Sequence, residues 1–176
     1  EIIADAHAQL AKHHKNLLTI VIPRHPHRGQ EVADILSKIA PVALRSKNEG
    51  ITHSKGFYVA DTIGEMGLFY RISDIVFMGG SFIKHGGQNP LEAAQLACAI
   101  LSGPHTHNFK EVYHNMREDG VLVSVVDAAT LSHAVHQLLI DIETRHARQQ
   151  AARNFVTKQG GASDQMITLF KPLLAS

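Results

Sequence analysis

Apolar positions along the chain follow two rhythms. Ile2, Ile3, Ala6 and Leu10 recur at helical spacing and predict an amphipathic helix over the first fifteen residues. Leu17 to Ile22 is a continuous apolar run of strand length, as expected of a strand buried on both faces of a parallel sheet, and it stops at Pro23-Arg24-His25-Pro26. Val32, Ile35, Leu36 and Ile39 mark a second helix, Val42 to Leu44 a short strand, and the polar stretch from Arg45 to Gly56 a surface loop. Phe57 to Ala60 forms another strand, followed by a helix carrying Leu68, Phe69 and Ile72. Ile75 to Met78, Ala99 to Ser102 and Val121 to Val126 are the remaining strand-length runs. A short helix to about Leu96 lies between the first two, and a helix with Phe109, Val112, Tyr113 and Met116 on one side lies between the last two. Asp127 caps a helix whose stripe is Leu131, Val135, Leu138, Leu139 and Ile142. A further helix from Glu143 to Lys158 is expected to end at Gly160-Gly161, with a last short helix around Met166, Ile167, Leu169 and Phe170. Strands alternating with helices predict an α/β fold with a parallel sheet flanked by helices. Because a crossover helix needs a strand on either side, the helical opening implies a strand upstream of Glu1.

One stretch concentrates backbone freedom. The run Ile75 to Met78 leads into Gly79-Gly80-Ser81, then Gly86-Gly87-Gln88-Asn89-Pro90-Leu91-Glu92. Asn89 suits a helix N-cap, Pro90 the first helical position and Glu92 the third, so a helix start is fixed to within a residue or two. Two readings share this spacing: a capping box, or a phosphate loop in which glycines bring the backbone close to a ligand and first-turn amides point outward. Four glycines and Ser81 within nine residues exceed what a cap requires. A second glycine-bearing turn, Asp61-Thr62-Ile63-Gly64-Glu65-Met66-Gly67, follows Phe57 to Ala60. It is read either as a neighbouring ligand loop or as a helix start capped by Asp61 or Thr62 with Glu65 against the dipole. Arg24, at the end of the Leu17 to Ile22 strand, offers a planar five-donor fork to an anion or a base edge, or else is a surface arginine among turn prolines.

Composition narrows the classes. A chain of 176 residues is read as one domain, residues 1–176. Seventeen Lys and Arg against sixteen Asp and Glu lack the basic excess of a nonspecific nucleic-acid binder. Cys98 stands alone, which excludes an internal disulfide and suits a reducing compartment, and no apolar run reaches the length of a membrane span. The domain is therefore expected to be soluble. The thirteen histidines lack metal-ligand spacing: His105 and His107 share a loop and His133 and His136 a helix face, with no Cys or carboxylate completing either pair. Ser81 lacks the second glycine of a nucleophile elbow.

Taken in order, Pro23-Arg24-His25-Pro26, Asp61-Thr62 with Gly64-Glu65-Met66-Gly67, the Gly79 to Glu92 stretch, and Gly103-Pro104-His105-Thr106 resemble the C-terminal half of the 3-deoxy-D-manno-octulosonic acid (Kdo) transferases of lipopolysaccharide synthesis. The resemblance covers nearly the whole chain, with Gln88 where many members have His and Ala93 where many have Pro. It implies the Rossmann-like C-terminal half of a two-domain GT-B glycosyltransferase, binding CMP-Kdo while an N-terminal half binds the lipid A precursor. It further implies inverting transfer of Kdo with release of CMP, no cofactor and no obligatory metal. The base would be a glutamate of the N-terminal half, leaving no catalytic residue in this chain. That half would also carry the membrane contact, placing the full enzyme at the cytoplasmic face of the bacterial inner membrane. By the same resemblance Pro23 and Arg24 meet the base or phosphate; Gly64, Glu65 and Met66 line the nucleotide; Ser81 and Gly87 belong to the phosphate loop; and Asn89, Pro90, Leu91 and Glu92 meet phosphate and ribose. A different GT-B nucleotide-sugar transferase or epimerase is the alternative. A dinucleotide-binding module would carry its glycine fingerprint after the first strand, and none follows Leu17 to Pro23.

Overall fold

The computed structural model describes residues 1–51 and 56–174, with side chains through residue 159. Thr52 to Lys55 of the expected Arg45 to Gly56 loop, and the side chains of Met166, Ile167, Leu169 and Phe170, lie outside that description. The chain divides into two compact units, Glu1–Ile72 with Val126–Gln137, and Ser73–Val125 with Leu138–Ser176. The expected parallel α/β architecture is present as two sheets of three strands.

In the first unit β1 (Thr19–Val21), β2 (Val42–Leu44) and β3 (Phe57–Val59) form a parallel sheet in the order β1-β3-β2. Thr19 and Val42 both stand opposite Phe57. Successive side chains of a strand point to opposite faces, and β3 serves two cores in this way. Phe57 and Val59 pack with Ala4 of α1 (Ile2–Leu10), with Ala33 and Leu36 of α2 (Gly29–Leu36), and with Leu44. Tyr58 and Ala60 pack with Ala43 and with Phe69 of α3 (Met66–Arg71). Central β3 is buried throughout, whereas β1, expected to be buried on both faces, is half-buried along its length because it is an end strand. α1 is shorter than expected, its last turn closing with the Ala11 N–H on the His7 carbonyl. His7 is itself buried under the sheet, its Nδ1 2.8 Å from the Thr19 hydroxyl and its ring on Phe57. Near the end of α1, His14 Nε2 lies 2.8 Å from Nδ1 of His136, on α6 (Ala128–Ile140). Asp127 caps α6 as read, accepting the Thr130 N–H at 2.7 Å.

In the second unit β4 (Ile75–Met78), β5 (Ala99–Ser102) and β6 (Leu122–Ser124) are parallel in that order, Ile75 opposite Ala99 and Ile100 opposite Leu122. All four residues of central β5 are buried. α4 (Leu91–Gln95) and α7 (Ile142–Leu174) pack on each other and on β5, with Ala152 and Phe155 of α7 in the core. α5 (Lys110–Glu118) packs on β6, burying Tyr113 and Met116. The C-cap expected at Gly160-Gly161 is not formed, since α7 runs through both. Glycine ends a helix only when it turns left-handed, and it can also continue one at a cost of about 1 kcal/mol relative to alanine.

Candidate functional site

Parallel strands deliver their following loops to the same edge of a sheet, which is where α/β folds take ligands. In the first unit Pro23 is half-buried and Arg24 exposed just past β1, while Gly64 to Met66 follow β3, the strand paired with β1. Gly64 has φ +85°, a left-handed value that favours glycine, and it is exposed, as is Met66 at the head of α3.

Glu65 is bonded within the chain. Its Oε1 accepts hydrogen bonds from Arg45 Nη2 at 2.7 Å and Nε at 3.3 Å, and Oε2 accepts from Arg45 Nε at 3.1 Å and from the Thr62 hydroxyl. An ionised carboxylate has about four acceptor positions, and three hydrogens occupy it here, the single Arg45 Nε–H being shared between the two oxygens. The Arg45 bond first, and the Thr62 bond second, hold the Glu65 carboxyl at a pKa of about 2. Arg45 carried no local signal in the sequence, because its partner lies twenty residues away. Asp61 is also committed, accepting the Ser46 N–H at 2.8 Å and the Ser46 hydroxyl at 2.7 Å. Neither Asp61 nor Thr62 caps α3, so the capping alternative for this turn does not hold.

In the second unit the chain leaves β4 through Gly79 and Gly80, the latter at φ +73°. Ser81 is fully buried and turned inward: its hydroxyl donates to the Met78 carbonyl at 2.5 Å and accepts the Gly103 N–H at 2.8 Å. The Ser81 carbonyl takes the His105 N–H at 2.9 Å. This side chain ties the loop after β4 to the loop after β5. Gly103 is required by that approach, since a Cβ there would lie 2.4 Å from the Ser81 carbonyl oxygen.

Further along, Gly86 and Gly87 are both buried with positive φ, +93° and +75°. Asn108 Nδ2 donates to the His85 carbonyl at 2.8 Å, its N–H meets the Gly86 carbonyl at 3.1 Å, and the Tyr113 hydroxyl donates to the Gln88 carbonyl at 2.7 Å. These braces were not singled out from sequence, where Tyr113 read only as part of an apolar stripe. Asn89 accepts the Leu91 N–H at 3.1 Å, the N-cap role expected of it, and Pro90 is buried behind it. Leu91 is half-buried. Glu92 is exposed and has no hydrogen bond to the Asn89 N–H, so the capping box is only half formed and its carboxylate points to solvent.

Two ends of the glycine stretch have no internal reason for their identity. One is Glu92; the other is Gly79, which is exposed, lies outside the left-handed region, and would meet nothing within 4 Å if it carried a Cβ. Both lie on the Gly79 to Glu92 stretch. No nucleophile competes with a binding role here: burial first, and the charge of Asp74 second, push the Cys98 thiol up to about 11. Among the described residues no three His, Cys, Asp or Glu side chains are placed to share a metal ion.

The chain is similar to the 3-deoxy-D-manno-octulosonic acid transferase of Haemophilus influenzae, 39% identical over 176 residues that make up 99% of this chain and 41% of that protein. It is also similar to the transferase of the same name from Bordetella pertussis, 35% identical over 150 residues, 83% of this chain and 35% of that one. This chain thus spans about two-fifths of the length of these relatives. Among solved structures it is similar to the C-terminal CMP-Kdo binding domain of WaaA from Acinetobacter baumannii, with TM-score 0.83, 29% identity, and coverage of 88% of this chain and 81% of that one. The family described as Glycosyl transferases group 1 matches residues 38–155, a span that includes the loops after β2, β3, β4 and β5, and the chain belongs to that family.

Proposed function

We propose that this chain is the donor-binding half of a Kdo transferase and holds CMP-Kdo while a separate half presents a lipid A precursor. The observation that carries this reading is the likeness in fold to a CMP-Kdo binding domain. Supporting it, Gly79 is a glycine that nothing inside the protein requires and Glu92 is a carboxylate that nothing inside the protein uses.

A nucleoside monophosphate ester presents an anion, a ribose diol and a base. Backbone at Gly79 and Gly80 can approach the phosphate without a Cβ in the way. The Glu92 carboxylate would repel phosphate but can accept two hydrogen bonds from ribose hydroxyls, so it is assigned to the sugar. Arg24 and the Gly64 to Met66 turn are assigned to the base and phosphate, as the resemblance implies. Transfer forms a bond between the acceptor hydroxyl and the anomeric carbon of Kdo, breaks the bond to phosphate, and releases CMP. A base must take the hydroxyl proton. The Glu65 carboxylate is held by Arg45 and Thr62 and Glu92 is assigned to the ribose, and the base is assigned to the other half, as the resemblance implies. Alignment of donor and acceptor can contribute about 7 to 11 kcal/mol and the base about 10² to 10⁴-fold. The chain alone is accordingly expected to bind but not transfer. Among the described residues no helix is long and apolar enough to cross a membrane, and membrane contact at the inner face is assigned to the acceptor-presenting half, as the resemblance implies.

Thermal shift tests the reading. CMP at a hundred times its Kd adds about 2.7 kcal/mol of stability, and UMP at equal concentration is expected to add far less. Equal shifts would point to a different nucleotide-sugar enzyme, and a shift with NAD alone would defeat both. For the catalytic assignment, the chain is incubated with CMP-Kdo and lipid acceptor and the lipid is weighed by mass spectrometry. Acceptor-dependent product at the rate of a two-domain transferase would place a base within this chain.

A further inference from the structure

We infer that Arg45, with Thr62, is a positioning residue for the nucleotide: together they lock Glu65 and so hold the Gly64 to Met66 turn in the shape in which its backbone and the Met66 side chain meet the ligand. The inference rests on the CMP-binding reading for its ligand, and on geometry for the lock.

The loop after β3 is fastened at both ends by the two residues that follow β2. Ser46 holds Asp61 with its N–H at 2.8 Å and its hydroxyl at 2.7 Å, and Arg45 holds Glu65 with a two-nitrogen fork whose shortest bond is 2.7 Å. Between these fastenings lie Thr62, Ile63 and Gly64. Asp61 is hemmed in further by α2, where a Cβ at Gly29 would stand 2.4 Å from its carboxyl. Arg45 is itself seated on the sheet, its N–H bonded to the Val59 carbonyl at 2.9 Å. A loop carrying a left-handed glycine loses much conformational entropy when it becomes ordered. Fastening both ends before the ligand arrives removes that cost from the binding step.

The pair is a charge-assisted fork, with the Arg45 side chain 35% and the Glu65 side chain 26% exposed. For stability alone such a partly exposed pair is worth little. With one Nη2–H, one Nε–H and one hydroxyl hydrogen on it, the Glu65 carboxylate has most of its acceptor capacity spent on the lock. Lysine in place of Arg45 would keep the charge but lose the fork, since an ammonium is a point donor.

The test compares Arg45→Met, Arg45→Lys and Thr62→Val in the whole chain. Two readouts are used: CMP affinity by titration well below the melting temperature, and hydrogen exchange without ligand of the Leu68 and Phe69 amides, which bond the Glu65 carbonyl at 3.0 and 3.2 Å. The expected result is CMP binding weakened about tenfold or more in Arg45→Met, with partial recovery in Arg45→Lys and a smaller loss in Thr62→Val, ranked in the same order as faster exchange at these two amides. Unchanged exchange in a folded Arg45→Met chain would overturn the lock, whatever CMP does. A lowered melting temperature with wild-type CMP affinity would leave Arg45 merely structural and overturn its role in binding. Failure of the wild-type chain to bind CMP would defeat the functional reading instead, and exchange would still judge the lock.

Discussion

Replacing Gly79 with alanine separates a glycine kept for the fold from a glycine kept for a ligand. Its Cβ would enter open space, and its φ lies outside the left-handed region, so the free protein accepts the methyl. Gly→Ala at a compatible backbone stabilises by about 0.4 to 1 kcal/mol through the unfolded chain, which for a protein of this size is roughly 1 to 4 °C in Tm. The bound state differs. If phosphate rests on the Gly79 backbone, a methyl group there forces the ligand or loop aside, and overpacking of this kind costs about 1 to 3 kcal/mol, or roughly 5 to 150-fold in Kd. Gly79→Ala is therefore expected to melt slightly higher than wild type and to bind CMP at least about fivefold more weakly. Differential scanning fluorimetry without ligand and isothermal titration with CMP read the two effects separately. Gly103→Ala is the contrasting variant, since its Cβ would lie 2.4 Å from the Ser81 carbonyl and should lower Tm directly. Wild-type CMP affinity in a folded Gly79→Ala chain would refute the argument that a ligand approaches this backbone.

Glu92→Gln is expected to weaken CMP binding by about 1 to 3 kcal/mol with Tm unchanged, because the carboxylate has no hydrogen bond within the chain; a lowered Tm with intact affinity would return Glu92 to a capping role. Ser81→Ala strips the buried Gly103 N–H of its acceptor, so urea denaturation should show a loss of about 1 to 3 kcal/mol, and an unchanged midpoint would count against the latch. Burial lowers the His7 pKa below its ordinary 6.5, so the unfolded chain binds more protons than the folded one in the window just under that value. Stability should be fully present above pH 6.5 and fall as pH drops through the folded pKa of His7, with a weaker pH dependence in His7→Gln by urea midpoints at pH 7.5 and 5.5. Glu65, held at about 2, behaves as a depressed carboxylate: its contribution is present above its ordinary 4.5 and is lost progressively as pH falls from there through about 2, a step that Arg45→Met should shrink while the Thr62 bond remains.

The strands β2, β4 and β5 coincide with the apolar runs Val42 to Leu44, Ile75 to Met78 and Ala99 to Ser102. In these segments apolarity ends where the strand does. β1 and β6 are shorter than the runs Leu17 to Ile22 and Val121 to Val126 that contain them, since apolarity there continues past the paired residues. The glycine loop was legible as a ligand loop because glycine density is a local property. What its residues do was less so: Ser81 looks like a ligand contact in sequence and is a buried latch in three dimensions, since its partner Gly103 is twenty-two residues away. Glu65 is the same case, its role set by Arg45 across two strands. Asn108 and Tyr113 were invisible as braces because what they hold is backbone carbonyl, which carries no sequence identity.

The latch between Ser81 and Gly103 also decides what can be moved as a unit. Between Gly79 and Gln88 the glycine loop closes on itself through the Gly87 N–H on the Gly80 carbonyl at 3.2 Å, and it is further held from outside by Gly103, His105, Asn108 and Tyr113, which follow the next strand. A graft of residues 79–92 onto another scaffold would carry the glycines and lose the mould. Recombination between relatives should likewise tolerate breakpoints before β4 or after α5 better than within α4 or β5. A chimera joined at Ala97, with its loop from one parent and its braces from the other, is expected to keep its sheet and misplace its loop.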